Sequence, residues 1–328
     1  MRTAFVTGGT GFVGSNLIEE LIKSEWNVIA LHRSASNLSR LRSWPVQLVE
    51  GALEKPDSFE QHIPEGVDAI FHVAGNISFW RKDAATQIRD NVVGTRNVVE
   101  AAIRRGAKCL VHTSSISAYG AQPAGLVDER AVSTALESPV TYERTKYMAE
   151  LEVKKGIERG LRAVFINPSN ILGRYDITGW ARFIILAHQQ KLPVVPPGGG
   201  SFCDAQQVAL AHIAAVDRGK VGENYLLGGA DATLLEFGEV IGECLGKPVP
   251  LKAVPLWLFA SVGYVSEWGS AITRKAPTVT RDMVHVVRRG CVYVSSEKAQ
   301  RELGYHLRTL PEMVRTSYRW LKEQGLLS

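Results

Sequence analysis

Along the first half of the chain, short apolar runs alternate with longer stretches in which apolar residues recur every three or four positions. Ala4-Phe5-Val6 is such a run, and after a glycine-rich turn Phe12, Val13, Leu17, Ile18, Leu21 and Ile22 recur at helical spacing. Further buried strands are predicted over 27–31, 46–49, 69–73, 109–112 and 161–166. The segments 83–105 and 140–159 read as helices, the first carrying Val92, Val93, Val98, Val99 and Ile103 as its apolar positions. Strands alternating with helices predict right-handed βαβ units, hence an α/β fold with a doubly wound parallel sheet covered on both faces. Past Asn167-Pro168 the alternation becomes irregular, with Pro193, Pro196, Pro197 and Gly198-Gly199-Gly200 close together.

The turn after the first strand, Thr7-Gly8-Gly9-Thr10-Gly11-Phe12-Val13-Gly14, carries three glycines at the spacing of a dinucleotide-binding loop. Glycine tolerates positive φ and, without a Cβ, lets a diphosphate approach the backbone. The helix that follows offers unpaired N–H groups and the positive end of its dipole. A dinucleotide-binding Rossmann domain is therefore expected over 1–168, rejoined by 204–227, where a helix precedes Asn224-Tyr225-Leu226-Leu227. Residues 169–203 and 228–328 are expected to form a smaller, mixed substrate lobe.

Composition changes this picture little. The chain has 328 residues, 45% hydrophobic and 22% charged, as an ordinary soluble globular protein does. Its net charge of +5 suits an anionic cofactor, and no basic stripe argues for nucleic acid. The pairs Arg104-Arg105 and Arg288-Arg289 are expected on solvated faces. Cys109, Cys203, Cys244 and Cys291 are scattered singly, so neither a metal site nor a disulfide framework is expected. No signal-peptide pattern opens the chain, which makes the cytoplasm the default. The apolar stretch 254–265 contains Pro255 and is too short to span a bilayer; it reads as a pocket wall or an amphipathic surface helix.

Tyr142 and Lys146 lie four apart in a predicted helix and share a face. A free phenol titrates near 10, and a neighbouring ammonium favours its phenolate. Ser115 ends the strand 109–112 and its polar extension Thr113-Ser114-Ser115, at the carboxyl edge where open α/β sheets place their ligand crevice. Its hydroxyl either holds a substrate carbonyl or caps the next turn, a role Ser114 and Ser117 fit equally. Asn91 sits in an otherwise apolar helix, where an amide requires partners. It either holds a water or backbone group near Lys146 or satisfies a kink.

With these residues the chain resembles the extended short-chain dehydrogenases/reductases, closest to their dihydroflavonol-reductase-like and hydroxysteroid-dehydrogenase-like branch. The resemblance rests on the glycine loop, His72-Val73-Ala74-Gly75, Asn91-Val92-Val93-Gly94-Thr95, Thr113-Ser114-Ser115-Ile116-Ser117-Ala118-Tyr119-Gly120 and Tyr142-Glu143-Arg144-Thr145-Lys146. Asn167-Pro168-Ser169-Asn170-Ile171-Leu172-Gly173 and the segment 296–305 extend it towards the C-terminus. It implies Tyr142 as the acid-base, Lys146 as the group that lowers its pKa and holds the nicotinamide ribose, Ser115 as carbonyl holder and Asn91 as fourth member of the catalytic set. It further implies cofactor contacts from Thr7, Gly8, Gly11, Phe12, Val13, Gly14, Arg33, Leu53, Ala74, Tyr142, Lys146, Asn167 and Pro168. Paired helices of relatives imply a homodimer across 83–105 and 140–159, whose outer faces here carry Arg96, Glu100, Arg104, Glu143 and Arg144.

Departures from the family pattern narrow the function. Asn167-Pro168 and Ser201-Phe202 stand where many nucleotide-sugar enzymes carry arginines. Ser115-Ile116-Ser117 replaces the Thr-Asp-Glu run of dehydratases, and Ala52 replaces an aspartate that contacts adenine. The expectation is an NADP-dependent reductase acting on the carbonyl of a mid-sized, largely apolar small molecule. The alternatives are a nucleotide-sugar epimerase and a non-catalytic NADP sensor. Phe79, Trp80, Ser115, Asn170 and Trp180 are expected to line the substrate crevice, with Trp257, Phe259 and Tyr264 either beside them or in the core. NADP is preferred over NAD because the second strand ends on His32-Arg33-Ser34 rather than on an acid.

Overall fold

A computed structural model describes residues 1–123, 125–191, 194–247, 249, 252–273, 277 and 279–327; Pro193 lies outside them. In chain order the elements begin β1 (Thr3–Thr7), α1 (Phe12–Lys23), β2 (Asn27–His32), β3 (Val46–Glu50), β4 (Ala69–His72), α2 (Ala84–Ile88), α3 (Gly94–Arg104), β5 (Leu110–Thr113), β6 (Gly125–Val127), α4 (Thr141–Glu158) and β7 (Ala163–Pro168). They continue β8 (Asn170–Leu172), α5 (Ala181–His188), β9 (Val194–Val195), β10 (Gly199–Asp204), α6 (Ala205–Arg218), β11 (Asn224–Leu227), β12 (Ala230–Thr233) and α7 (Leu234–Leu245). The chain closes with β13 (Lys252–Ala253), α8 (Leu256–Thr273), α9 (Arg281–Val287), β14 (Cys291–Val294), α10 (Glu297–Leu303) and α11 (Leu310–Glu323).

Seven parallel strands form the large sheet in the order β11-β7-β5-β4-β1-β2-β3. This is the doubly wound sheet that the alternation predicts. Because neighbouring residues of a strand face opposite sides, Ala4 and Val6 join Leu17, Leu21, Val208 and Ala211 on the face covered by α1 and α6. Phe5 points the other way, to Val98, Val99, Ala102 and Val153 of α3 and α4. A second, mixed sheet runs β12-β10-β14-β6, with β8 on β10. Its core of Phe202, Phe237, Ile184, Met313 and Trp320 is that of the smaller lobe.

Two segments cross the lobes. Strand β6 precedes residue 168 yet pairs with β14 in the small sheet, while Ala299, Leu303 and Tyr305, far along the chain, pack under the large one. The predicted helix 83–105 is continuous but not uniform: α2 passes through a π-helical stretch, Arg89–Val93, into α3. Such a widened turn inserts one residue and is frequent at functional sites. Asn91 lies in it.

Solvated faces were expected for both arginine pairs. Arg104 does pair with Glu60 at the surface (2.5 Å). Arg289 instead turns inward and holds Glu143, which is 3% exposed, through two hydrogen bonds of 2.5 and 3.0 Å. A buried carboxylate on α4 needs that charge and those donors.

Candidate active site

The glycine loop is shaped by close approach. Gly8 has φ +73°, and a Cβ there would lie 2.6 Å from the Ala74 amide nitrogen; one on Gly14 would strike the Gly8 carbonyl. Helix α1 starts on Gly11 with no side-chain cap and no acid in its first turn, so among the described residues its own first turn offers its leading N–H groups no anion. Thr7 serves beneath the loop rather than at its surface: its hydroxyl bonds His72 Nδ1 (2.8 Å) and accepts from the Ala74 amide (3.3 Å). After β3, Ser58 Oγ occupies both backbone groups of Ala52 (2.9 and 3.3 Å), and Asn97 holds the Leu53 carbonyl (2.7 Å).

Ser115, Tyr142, Lys146 and Asn91 come together where β4 and β5 end, each at most 9% exposed. Ser115 caps the 3₁₀ turn Ile116–Tyr119 by accepting from the Ser117 amide (3.1 Å), and its hydroxyl also bonds Tyr142. Of the two roles read from the sequence, the cap is the one this geometry fills. Lys146 donates to the Thr113 carbonyl (3.0 Å), and its Nζ passes 3.3 Å from where a Gly75 Cβ would be. Asn91 clamps the loop after β4, accepting from the Asn76 amide (2.7 Å) and donating to the Asn76 carbonyl (2.9 Å) and to Thr145 Oγ1 (3.1 Å). Of the roles read from the sequence, it fills that of holding a backbone group, the one at Asn76.

The electrostatics differ from the simple expectation that Lys146 lowers the Tyr142 pKa. Burial pushes the Tyr142 phenol up to about 12, opposed by the Ser115 hydrogen bond. Lys146 Nζ stays 6.0 Å from the ring centroid, engaged elsewhere. Burial also pulls Lys146 from 10.5 down to about 8, with Glu150 working the other way. Behind them, burial holds His72 near 3 and His212 near 4, so these imidazoles are neutral. A depressed ammonium makes a prediction with a definite sign. The free enzyme's kcat/KM for reduction should fall as pH rises through about 8, where Lys146 loses its charge. Stability moves oppositely: between about 8 and 10.5 the unfolded chain binds the proton more tightly, so the unfolding free energy rises with pH. A pH–rate profile flat to pH 10 contradicts the first statement.

Glu150 was not singled out in the sequence, although it lies one turn beyond Lys146 on α4. Its Oε1 accepts from Ser114 Oγ (2.5 Å), Asn167 Nδ2 (2.8 Å) and Asn224 Nδ2 (3.1 Å). Asn167 in turn donates to the Ser115 carbonyl (3.2 Å). Asn167 thus fixes the serine loop, and Pro168 beside it pairs with Leu227 at the sheet edge.

The expected crevice residues divide. The Phe79 ring lies 5.6 Å from that of Tyr142, and Trp80, half-buried, follows on the same loop. Asn170 donates to the Ser201 carbonyl (3.1 Å) at the start of the small lobe. Trp180 packs on Phe183, Phe202 and Phe237 in that lobe's core. Trp257 is 70% exposed, outside the core.

Sequence comparison matches residues 4–228 to the NAD dependent epimerase/dehydratase family. The chain belongs to that family. Within it, the chain is 32% identical over 328 residues to a Synechocystis protein named "Putative dihydroflavonol 4-reductase", covering 98% of this chain and 95% of that one. It is 30% identical to the 4-hydroxy-2-methyl-3-oxo-4-farnesyl-3,4-dihydroquinoline-1-oxide ketoreductase of Stigmatella aurantiaca, covering 93% and 92%. Among solved structures it superposes on gox2253 with TM-score 0.86 at 31% identity, covering all of both chains. A UDP-glucuronic acid 4-epimerase from Bacillus cereus, at 17% identity and TM-score 0.80 with coverage of 100% and 98%, shares the fold. The family member described here is an NAD(P)-dependent oxidoreductase of the extended short-chain type. Its glycine loop, open at the α1 N-terminus, fits a nicotinamide dinucleotide.

Proposed function

We propose that the enzyme reduces the carbonyl group of a mid-sized, largely apolar substrate, with NADPH preferred and Tyr142 as proton donor. The observation that carries this reading is the burial of a phenol held protonated beside Ser115, with Phe79 against its ring. A phenol with a raised pKa keeps its proton at neutral pH and is suited to give it up only to a strong base such as a forming alkoxide. The glycine loop and Lys146 would hold the reduced nicotinamide dinucleotide, which would supply the hydride. Ser115 Oγ orients the carbonyl oxygen, and Tyr142 donates its proton to that oxygen. Lys146, cationic below about pH 8 and anchored on the Thr113 carbonyl, would hold the nicotinamide ribose beside that phenol. Asn91 keeps the 76 loop, and with it Phe79, against α4.

The names of relatives, reductase and ketoreductase, support the direction of the reaction. Against sugar-nucleotide chemistry stands Asn167, whose amide is spent on Glu150 and Ser115 rather than being an arginine free for a phosphate. Aryl and alkyl ketones and aldehydes, assayed by loss of NADPH absorbance, are expected to be turned over. Isomerisation of uridine-diphosphate sugars without net NADPH loss, and inertness towards every carbonyl, would reverse the reading. Assembly as a homodimer across α3 and α4 belongs to the same proposal. The polar groups there already pair within the chain, Arg96 with Glu152 (2.9 Å) and Arg159 with Glu100, so that interface would be rimmed by satisfied charges.

A further inference from the structure

Helix α8 is built inside out. Between Lys252 and Arg274 the sequence has one charge, Glu267, and the buried positions among the described side chains are small: Ala260, Gly263 and Ser270. Gly263 admits α9 so closely that a Cβ there would meet Val284 Cγ2 at 2.8 Å. The large side chains point outward, with Trp257 70%, Val265 68% and Trp268 72% exposed, and Leu258, Val262 and Tyr264 between them. A contiguous apolar face of this kind marks an interaction site.

We propose that this face seats the enzyme on an anionic bilayer surface, with the mouth of the active site beside the lipid. Trp and Tyr rings, apolar with a polar handle, settle at the headgroup level, and an amphipathic helix lying in the interface buries such a face without spanning the membrane. None of the helices among the described residues is long and apolar enough to cross a membrane. The charges around α8 complement acidic lipid. Lys82, Lys252 and Arg288 are exposed, and none has an ion pair among the described residues. Two of the nearby acids are spent, Glu267 on Arg281 (3.1 Å) and Asp282 on Arg81 (2.7 Å), while Asp83 beside Lys82 accepts from Ser78 Oγ (2.6 Å). Two copies meeting through α8 would bring those cations together, which disfavours a self-contact.

The same hairpin touches the catalytic region. Asp282 of α9 accepts from the Thr141 amide (3.3 Å), one residue before Tyr142, and holds Arg81, two residues after Phe79. Resting on the reductase reading above, the substrate class becomes an amphiphilic carbonyl compound dissolved in the bilayer, entering past Phe79.

Co-sedimentation of the full chain with phosphatidylglycerol and with phosphatidylcholine vesicles tests the surface without any turnover. The wild type should sediment with phosphatidylglycerol vesicles, less with phosphatidylcholine and less at high salt. Val265→Glu with Trp268→Glu should lower partitioning at least about tenfold, while NADPH titration stays unchanged as a check on folding. Lys252→Gln with Arg288→Gln should erase the preference for phosphatidylglycerol. Absence of sedimentation with either vesicle overturns the proposal. So does a doubled mass by light scattering that Val265→Glu with Trp268→Glu halves, because a second copy then covers the face. Inactivity towards carbonyls would defeat the reductase reading and leave vesicle binding intact.

Discussion

Tyr142→Phe is expected to lower carbonyl turnover by at least about 10²-fold, and by up to about 10⁴-fold, the span typical of a positioned acid-base group. The substitution removes one hydroxyl and little else. The ring keeps its contact with Phe79 at 5.6 Å, and Ser115 keeps the Ser117 amide at 3.1 Å. Folding and cofactor affinity should therefore hold, separating the loss of a proton donor from the loss of a fold. Ser115→Ala should also slow turnover but cost stability as well, about 1 kcal/mol for the lost cap, because that hydroxyl serves the turn 116–119 too. Single-turnover rates with saturating NADPH, for both variants, read the chemical step. A Tyr142→Phe enzyme reducing its best ketone at the wild-type rate would remove Tyr142 from the mechanism.

The residues that perform this chemistry are visible in the sequence for a local reason. The glycine loop, Ser115 and the Tyr142/Lys146 pair each sit where a strand ends or a helix turns, and periodicity locates those points from neighbours alone. The inner strands of the large sheet are legible on the same ground, being apolar runs buried on both faces, whereas the edge strand β3 exposes Gln47 and Glu50. What holds the site is a different matter. Glu150, Asn167 and Asn224 are brought together from α4, β7 and β11, and no local pattern announces a partner tens of residues away. Strand β6 is three residues long, and two of them, Gly125 and Leu126, are exposed; its reason for being extended is β14, far along the chain. The electrostatic expectation at Tyr142 differs because spacing places Lys146 on the right face but says nothing of where its ammonium goes. Thr113 takes it, and burial then sets the phenol. Helix α8 shows the limit of hydropathy, since the same apolar run serves a core, a pocket wall or an outward face. The close approach of Gly263 to Val284 on α9 shows which side turns in.

Arg33 is expected to make NADPH bind about 10- to 150-fold more tightly than NADH, and Arg33→Ala to remove most of that difference. Parallel pairing sets Thr7 opposite Leu31, so the glycine loop and the segment His32-Arg33 leave the sheet side by side. An adenine ribose lying over that edge presents its 2′ position to the end of β2. There the turn 33–36 is fixed by its own backbone: the Arg33 amide donates to Ser36 Oγ (3.1 Å) and the Ser36 amide to the Arg33 carbonyl (2.9 Å). The Arg33 guanidinium is exposed and has no ion pair among the described residues. Arg40, the other cation behind the loop, is engaged, bonding Ser15 Oγ at 2.8 Å and lying 4.2 Å over the Tyr175 ring. A guanidinium free to turn offers a phosphate a planar fork, and one charge-assisted hydrogen bond contributes roughly 1.5–3 kcal/mol, which is the stated range in affinity. Glu50 opposes it. That acid is the register partner of His32 on β3, and its charge repels a 2′-phosphate, so Glu50→Gln should widen the preference while Arg33→Ala narrows it. Titration of both reduced cofactors by fluorescence at one ionic strength, over wild type and the two variants, reads all three. Equal dissociation constants in the wild type, or a preference untouched by Arg33→Ala, would place the selectivity elsewhere.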